Sequence, residues 1–409
     1  MTTSAQLTIS REEFEARRRA AVDAAAAENL AALVVWSRGG TGFDFHGDVV
    51  YLAGQHSLFP VLGDTAGWAG RGQSILVLPV DGDPVLVTDY VDDPDDRVSV
   101  DDVRVSIQVL KTLAAVLSEL GLDRKKLGLV GRDTVTLEWF RQLEDAVGHT
   151  LDLAPADHIL ERLRLVKSEA ELDLMRAAAG VGVEWMNTTM AALREGGTEA
   201  DAVGEGLRYL ASQGGFPYDI AIASGPKSHH YFGSSGVPHF NSTRKLERGD
   251  LVHVDNWGPV NGYYTDFARS TVIGRQPTDG QRELLEGSVG VIHHIIEGAR
   301  PGATFRDLYQ RGATWLTDNG FSGASSSAEE SGNAFSEGFP AFGHSLGLAV
   351  ENPWITDAEH TRLEPNMVIA IEAVVGRPGV GATNYEQNLV VTDGDPEVLT
   401  AACKDRWWD

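Results

Sequence analysis

The stretch VHVDNWGPVNGYYTDFARS, residues 252–270, constrains the fold more than any other part of the sequence. It has the pattern of a β-hairpin, with Asp255 near the end of one apolar strand and Asp266 within the next. Valines and aromatic residues flank both acids, and an unpaired charge would be costly to bury there. We therefore predict that this hairpin faces something positively charged in the folded protein.

The composition bounds the class of protein. The chain has 409 residues, of which 42% are hydrophobic and 23% charged, as in an ordinary globular protein. Its formal charge of −25 argues against a nucleic-acid partner, because phosphate binding needs a basic surface. The N-terminal segment lacks the apolar core expected of a signal peptide, and no later run is long enough to span a bilayer. The single Cys403 excludes an internal disulfide. These features predict a cytoplasmic protein without membrane association.

The first part of the chain, residues 1–157, is interpreted as an α/β domain. Helices are predicted at about 108–120 and 136–147, and the turn sequence DGDP separates two of the strands. The predicted strands cover residues 31–37, 48–54, 74–80, 84–90 and 126–131.

The second part, residues 158–409, is predicted to be an α+β domain with helices packed on an antiparallel sheet. Segments 194–216 and 300–321 resemble each other, which indicates an internal duplication. The small-residue stretch at 322–340 is interpreted as a mobile lid. The predicted strands cover residues 220–224, 251–256, 263–273, 367–375 and 384–392.

Several metal-competent side chains lie on or beside strands predicted for the second domain. Glu372 stands in MVIAIEAVV and Glu386 in NYEQNLVVT, where a lone carboxylate is a burden. Strands bring distant residues side by side, and four converging carboxylates repel one another strongly unless cations neutralise them. The full set is Asp255, Asp266, His344, Glu372 and Glu386.

Two divalent cations would balance four carboxylates. Oxygen-rich ligands with one imidazole suit Mn, Co, Fe or Zn better than a metal that prefers thiolates. In such a pair, a water between the ions becomes a nucleophile near neutral pH. The sequence therefore predicts a dinuclear metal site without fixing which of these metals it holds.

The order of these residues is similar to that in the pita-bread metallopeptidase family, which includes aminopeptidase P and prolidase, with creatinase as a metal-free relative. Asp266 lies in GYYTDFARS, His344 in GHSLGL, and Glu386 in YEQNLVVT ahead of an acidic turn. The resemblance covers the whole chain. It implies a creatinase/prolidase-like N-terminal domain, a duplicated catalytic domain of pita-bread fold, and a homodimer.

The resemblance also implies a role for each member of the set. Asp266 and Glu386 would bridge two metal ions. Asp255 would bind one of these ions, while His344 and Glu372 would bind the other.

Further residues are candidates for catalysis or substrate binding. By the same resemblance, His239 in GVPHFNSTRK is an active-site histidine that contacts substrate or shuttles a proton; a surface loop histidine is the alternative. Glu372 or His239 would manage protons during the reaction. His230, in KSHHYFG, is a candidate for lining the same pocket.

The chain departs from the peptidase pattern near the site. Glu351 stands seven residues after His344, where peptidases carry a second histidine, and Asn384 stands where aminopeptidase P commonly has an arginine. A carboxylate cannot donate to an oxyanion unless it is protonated. We therefore interpret Glu351 and Asn384 as substrate-binding residues, with Glu351 binding a cationic group.

Two functions remain open at this point. The first is a dinuclear metal-dependent hydrolase of the Xaa-Pro aminopeptidase or dipeptidase type, in which a hydroxide that bridges the metals attacks an amide carbonyl. The alternative keeps the metal site but gives it a small C–N or C–S substrate, as in an amidohydrolase or dimethylsulfoniopropionate lyase. The substrate is accordingly a short peptide or another small molecule.

Overall fold

In the computed structural model the chain divides into two units, Met1–Leu165 and Val166–Asp409. The boundary predicted after residue 157 falls at the start of the last helix of the first unit. The predicted lid at 322–340 lies outside the described residues. The structure describes residues 8–39, 44–45, 47–57, 64–65, 67–91, 97–229, 238–321, 341–377 and 379–409.

The first unit combines helices with a mixed sheet and confirms the α/β architecture. The helices are α1 (Arg11–Ala27), α2 (Asp48–Ala53), α3 (Val109–Glu119), α4 (Leu137–Val147) and α5 (Asp157–Leu165). The strands are β1 (Ala32–Gly39), β2 (Asp44–Phe45), β3 (Gln73–Pro79), β4 (Val85–Thr88), β5 (Asp102–Val105), β6 (Lys126–Val130) and β7 (Asp152–Pro155). In the sheet these strands are ordered β5-β4-β3-β1-β6-β7, with β2 paired to β1.

The strand predicted at 48–54 is wrong, because Asp48–Ala53 forms helix α2. The two valines favour a strand by propensity alone. However, Val49, Leu52 and Ala53 recur at helical spacing, and all three are fully buried. Burial of this one helical face outweighs the local preference.

The second unit is α+β, as predicted. The helices are α6 (Glu169–Ala192), α7 (Glu199–Ser212), α8 (Asp279–Glu297) and α9 (Phe305–Asp318). The strands are β8 (Asp219–Ser224), β9 (Leu251–Val260), β10 (Tyr263–Val272), β11 (Gly343–Leu346), β12 (Val350–Trp354), β13 (Val368–Arg377), β14 (Gly381–Val390) and β15 (Glu397–Val398). In the described residues these antiparallel strands form two sheets, ordered β10-β9-β8 and β12-β11-β13-β14-β15.

The second unit repeats one arrangement twice. A long helix, α6 or α8, precedes a helix of 14 residues, α7 or α9. Thr198 caps α7 and Thr304 caps α9, each in a capping box with an aspartate three residues later. Each half also contributes a hairpin of two ten-residue strands, β9–β10 and β13–β14. The pattern matches the internal similarity of the sequence.

None of the helices in the described ranges is long and apolar enough to cross a membrane.

Candidate metal centre

Asp255 and Asp266 project from one face of the β9–β10 hairpin. The register places Asp255 opposite Ala268 and Asp266 opposite Trp257, and directly opposed residues share a face. Because Asp266 stands two residues from Ala268 on β10, the aspartates are diagonal neighbours. Both are buried, which an apolar sheet tolerates only if their charge is compensated.

The second sheet presents three donors on one face. Glu372 on β13 is directly opposite Glu386 on β14. His344 on β11 is opposite Ala370, two residues before Glu372 on β13, so its side chain shares the face of the glutamates. All three donors are buried.

The two faces bring all five predicted metal-ligating residues into one cluster. Donor atoms of Asp266, His344 and Glu386 lie within 4.8 Å of one another, as do those of Asp255, Glu372 and Glu386. Glu386 therefore belongs to both groups. The bridging roles of Glu386 and Asp266, and the sharing of one ion by His344 and Glu372, stay predictions.

Burial and mutual repulsion dominate the electrostatics of the cluster. Burial, followed by the neighbouring carboxylates, raises the pKa of Asp266 and of Glu386 well above the usual range. Burial lowers the pKa of His344 to about 4, so its imidazole is neutral at pH 7. The cluster therefore gathers acidic oxygens and a neutral imidazole where water cannot stabilise charge.

The orientation of His344 suits a metal ligand. Its Nδ1 donates a hydrogen bond to the carbonyl oxygen of Ser345 at 3.0 Å, which leaves a lone pair on Nε2. This Nε2 lies 3.5 Å from Oδ2 of Asp266. Nε2 of His344 and Oδ2 of Asp266 are thus two acceptors that face each other. In addition, Oε1 of Glu386 is buried with no hydrogen-bond partner among the described residues. A divalent cation satisfies such oxygen and nitrogen donors, so the residues fit two metal ions.

Buried polar side chains hold the two hairpins together. Asn388 pairs with the backbone of Asp266: its Oδ1 accepts from the Asp266 N–H at 3.0 Å, and its Nδ2 donates to the Asp266 carbonyl. Ser270 bonds in the same way to the backbone N–H and carbonyl of Asn384. The buried Arg269 donates to the carbonyl of Glu386 at 2.6 Å.

Asn384 lies beside a predicted ligand. Its Nδ2 donates to Oδ2 of Asp255 at 3.2 Å, and this contact orients the carboxylate. Asn384, Glu386 and Asn388 alternate along β14, so all three share a face. This period of two in NYEQN was the sequence signal that could have identified Asn388.

Glu351 is held by a lysine. Its Oε2 lies 3.3 Å from Nζ of Lys167, and its Oε1 accepts from the N–H of Leu348 at 3.1 Å. The side chain of Lys167 is 1% exposed and that of Glu351 is 10% exposed. The charge of Glu351 is therefore already matched within the protein, before any cationic substrate group arrives.

His239 is paired with an acid. Its Nδ1 bonds to a carboxylate oxygen of Asp219 at the start of β8, and its carbonyl accepts from the N–H of Ile222. The pairing fixes the ring beside the sheet that carries the aspartates. His230, the other predicted histidine, lies outside the described residues.

The second unit is a duplicated α+β unit that follows an α/β unit in the chain. Its two acid-bearing hairpins surround a buried cluster of carboxylates and one imidazole. This arrangement defines the pita-bread metallopeptidase class. Comparison with known families agrees with this. Residues 173–393 match the model of metallopeptidase family M24, and residues 17–166 match the creatinase/prolidase N-terminal domain. Because the first match covers more than half of the chain, the protein belongs to metallopeptidase family M24.

Individual relatives support the same family. The chain is 27% identical to a Xaa-Pro dipeptidase of Pyrococcus furiosus over 249 residues, 60% of this chain and 65% of that protein, and so spans less than two thirds of that relative. It is also 27% identical to a creatinase of Bacillus sp. strain B-0618 over 303 residues, 71% of this chain and 70% of that protein. The solved Xaa-Pro dipeptidase from Bacillus anthracis has the same fold, with a TM-score of 0.75, 23% identity, and coverage of 96% of this chain and 98% of that one.

Proposed function

We propose that this protein is a metal-dependent hydrolase that cleaves Xaa-Pro substrates at the amide bond before proline. The observation that carries this proposal is the sharing of Glu386 between two groups of buried donors. The Xaa-Pro dipeptidase of Pyrococcus furiosus supports the substrate class by similarity. Two bound divalent ions would supply Lewis acidity and lower the pKa of a water molecule. Their ligands would be Asp255, Asp266, His344, Glu372 and Glu386.

Side chains around this cluster would transfer protons and position the metal ligands. Asp219 accepts a hydrogen bond from Nδ1 of His239, which holds the imidazole in one orientation and directs Nε2 away from the acid. In this position Nε2 can take up a proton and return it to the leaving nitrogen. Glu372 would serve as a second proton acceptor beside Glu386. Asn384 would keep Asp255 in place rather than contact substrate.

The test is release of proline from a panel of Xaa-Pro dipeptides and tripeptides. The protein is stripped of metal and reloaded with manganese. Asp266→Asn removes one predicted ligand and should abolish turnover, while Asp393→Asn makes the same chemical change at an exposed acid and should leave it unchanged. Turnover that persists in Asp266→Asn would refute the proposed site.

The alternative function, cleavage of a small C–N or C–S substrate, is favoured by the Lys167–Glu351 pair. A paired carboxylate offers no hydrogen-bond donor to a developing oxyanion, and the creatinase relative is named for a substrate that is not a peptide. If the alternative is correct, Glu351→His will not raise Xaa-Pro turnover, and small amides or sulfonium compounds will be cleaved instead. Higher Xaa-Pro turnover in Glu351→His would instead support the Xaa-Pro hydrolase.

We also propose manganese as the metal and a cytoplasmic homodimer as the working form. The oxygen-rich donor set suits manganese. The single, buried Cys403 is compatible with a reducing compartment. The dimer is proposed from the family resemblance alone, and sedimentation equilibrium would test it.

A further inference from the structure

Trp257 lies between the candidate metal centre and the Asp219–His239 pair. On the three-stranded sheet it is directly opposite Asp266 of β10 on one side and Asp219 of β8 on the other. Residues in such a row project from one face. The indole ring therefore projects from the same face as Asp266 and Asp219, between the carboxylate cluster and the acid that holds His239.

Two tyrosines extend this surface. The ring of Tyr218 stacks on that of Trp257, with centroids 6.3 Å apart and planes 26° from parallel. The ring centroid of Tyr218 also lies 6.2 Å from that of Tyr264. Tyr264 stands two residues before Asp266 on β10 and therefore shares its face. Tyr218 is 48% exposed, whereas Tyr264 is buried. We call Tyr218, Trp257 and Tyr264 the aromatic shelf.

Backbone contacts fix the position of the shelf. The N–H of Tyr218 donates to the carbonyl of Trp257 at 2.9 Å. This approach needs a glycine at position 258, because a Cβ there would lie 2.3 Å from the carbonyl oxygen of Phe216. The N–H of Tyr264 donates to the carbonyl of Gly347, in the turn after β11. The shelf is thus tied to the strand that carries His344.

We infer that the aromatic shelf binds the pyrrolidine ring of the substrate's proline and so determines specificity for it. This inference rests on the proposed Xaa-Pro activity. A proline ring is rigid, so docking it costs little conformational entropy, and aromatic-lined grooves are a recurring means of binding proline. Its C–H groups next to the amide nitrogen carry partial positive charge and suit the electron-rich faces of tyrosine and tryptophan.

The experiment compares two substrates that differ only in the ring. Ala-Pro and Ala-N-methylalanine both have a tertiary amide, but only the first has a closed ring. We expect Trp257→Ala to lower kcat/KM for Ala-Pro about tenfold and to change that for Ala-N-methylalanine by less than about twofold. Trp257→Phe keeps an aromatic face and should retain most of the preference for Ala-Pro.

Trp315→Ala provides the matched control. Trp315 stacks on Phe321 and stands on α9, which carries none of the predicted metal-ligating residues. Its loss should leave the ratio of the two kcat/KM values unchanged. If Trp257→Ala lowers kcat/KM by the same factor for both substrates, or lowers it for neither, the assignment of the shelf is overturned. Failure of the unaltered, metal-loaded protein to cleave either substrate would instead overturn the proposed Xaa-Pro activity, on which the inference depends.

Discussion

The β9–β10 and β13–β14 hairpins have strands of the same length and carry two acids each, but they place those acids differently. In β13–β14 the glutamates are directly opposite each other. In β9–β10 the aspartates are diagonal, and Trp257 occupies the position opposite Asp266. The glutamate hairpin is therefore dedicated to the cluster, whereas the aspartate hairpin leaves part of the same face for another contact. In the proposed function, the glutamate hairpin would bind metal only, whereas the aspartate hairpin would bind both metal and substrate.

The placement of the acids also determines which contacts stabilise each hairpin. Directly opposed like charges destabilise a sheet, so bound cations would stabilise the glutamate pair most. The aspartate hairpin depends on side chains of β14, because Asn384 orients Asp255 and Asn388 holds the backbone of Asp266.

The largest effect should come from the acid shared by both donor groups. Glu386→Gln should lower kcat by at least about a thousandfold and remove both metals, whereas Asp255→Asn should remove one. Metal content by mass spectrometry and turnover would be measured on the same preparations. Equal metal loss in the two variants would show that the two hairpins contribute equally to metal binding.

Removal of Arg269 should cost about 3 kcal/mol of unfolding free energy. Its buried guanidinium donates to the carbonyls of Ala268 and Glu386, and Arg269→Ala leaves these acceptors unsatisfied. Denaturant titration measures the loss. Arg208→Ala, at a side chain that is 74% exposed, should change stability by less than about 0.5 kcal/mol. A similar small change for Arg269→Ala would show that the hairpins are held by other contacts.

Metal removal should destabilise the protein. A metal at a hundred times its dissociation constant stabilises the folded state by about 2.7 kcal/mol per site, so the melting temperature should fall on chelation and recover on reloading. Glu386→Gln should abolish this dependence. A melting temperature that is the same with and without chelator would contradict a metal centre at the four carboxylates.

The smallest effect should come from Asn388. Asn388→Ala removes the side chain that pairs with the backbone of Asp266, and it should weaken metal affinity about tenfold, as expected for a group that supports a ligand. Titration calorimetry with manganese measures this. The exposed Gln213→Ala serves as the control and should bind metal normally. Unchanged affinity in Asn388→Ala would mean that the Asp266 backbone needs no support from β14.

Local patterns were enough to predict the β9–β10 hairpin, the two strands of the β13–β14 hairpin and the acids that these strands carry. Aromatic and β-branched residues predicted a strand at 263–273, observed as Tyr263–Val272, because such residues favour strands. The order of the five metal-competent residues, together with a family resemblance, also indicated their convergence. The short strands β11 and β12 were not predicted, because GHSL and VENPW are too brief for a periodic signal.

Residue patterns along the chain were enough to indicate the family, the strand faces and the chemical nature of the donor set. Other contacts are visible only in the folded protein: Lys167 matches the charge of Glu351, Asn388 and Ser270 join two sheets, and Trp257 stands beside Asp266. These contacts link residues far apart in sequence. The periodicity of a strand determines the face from which a side chain projects, but strand register and packing between sheets determine which residues it contacts.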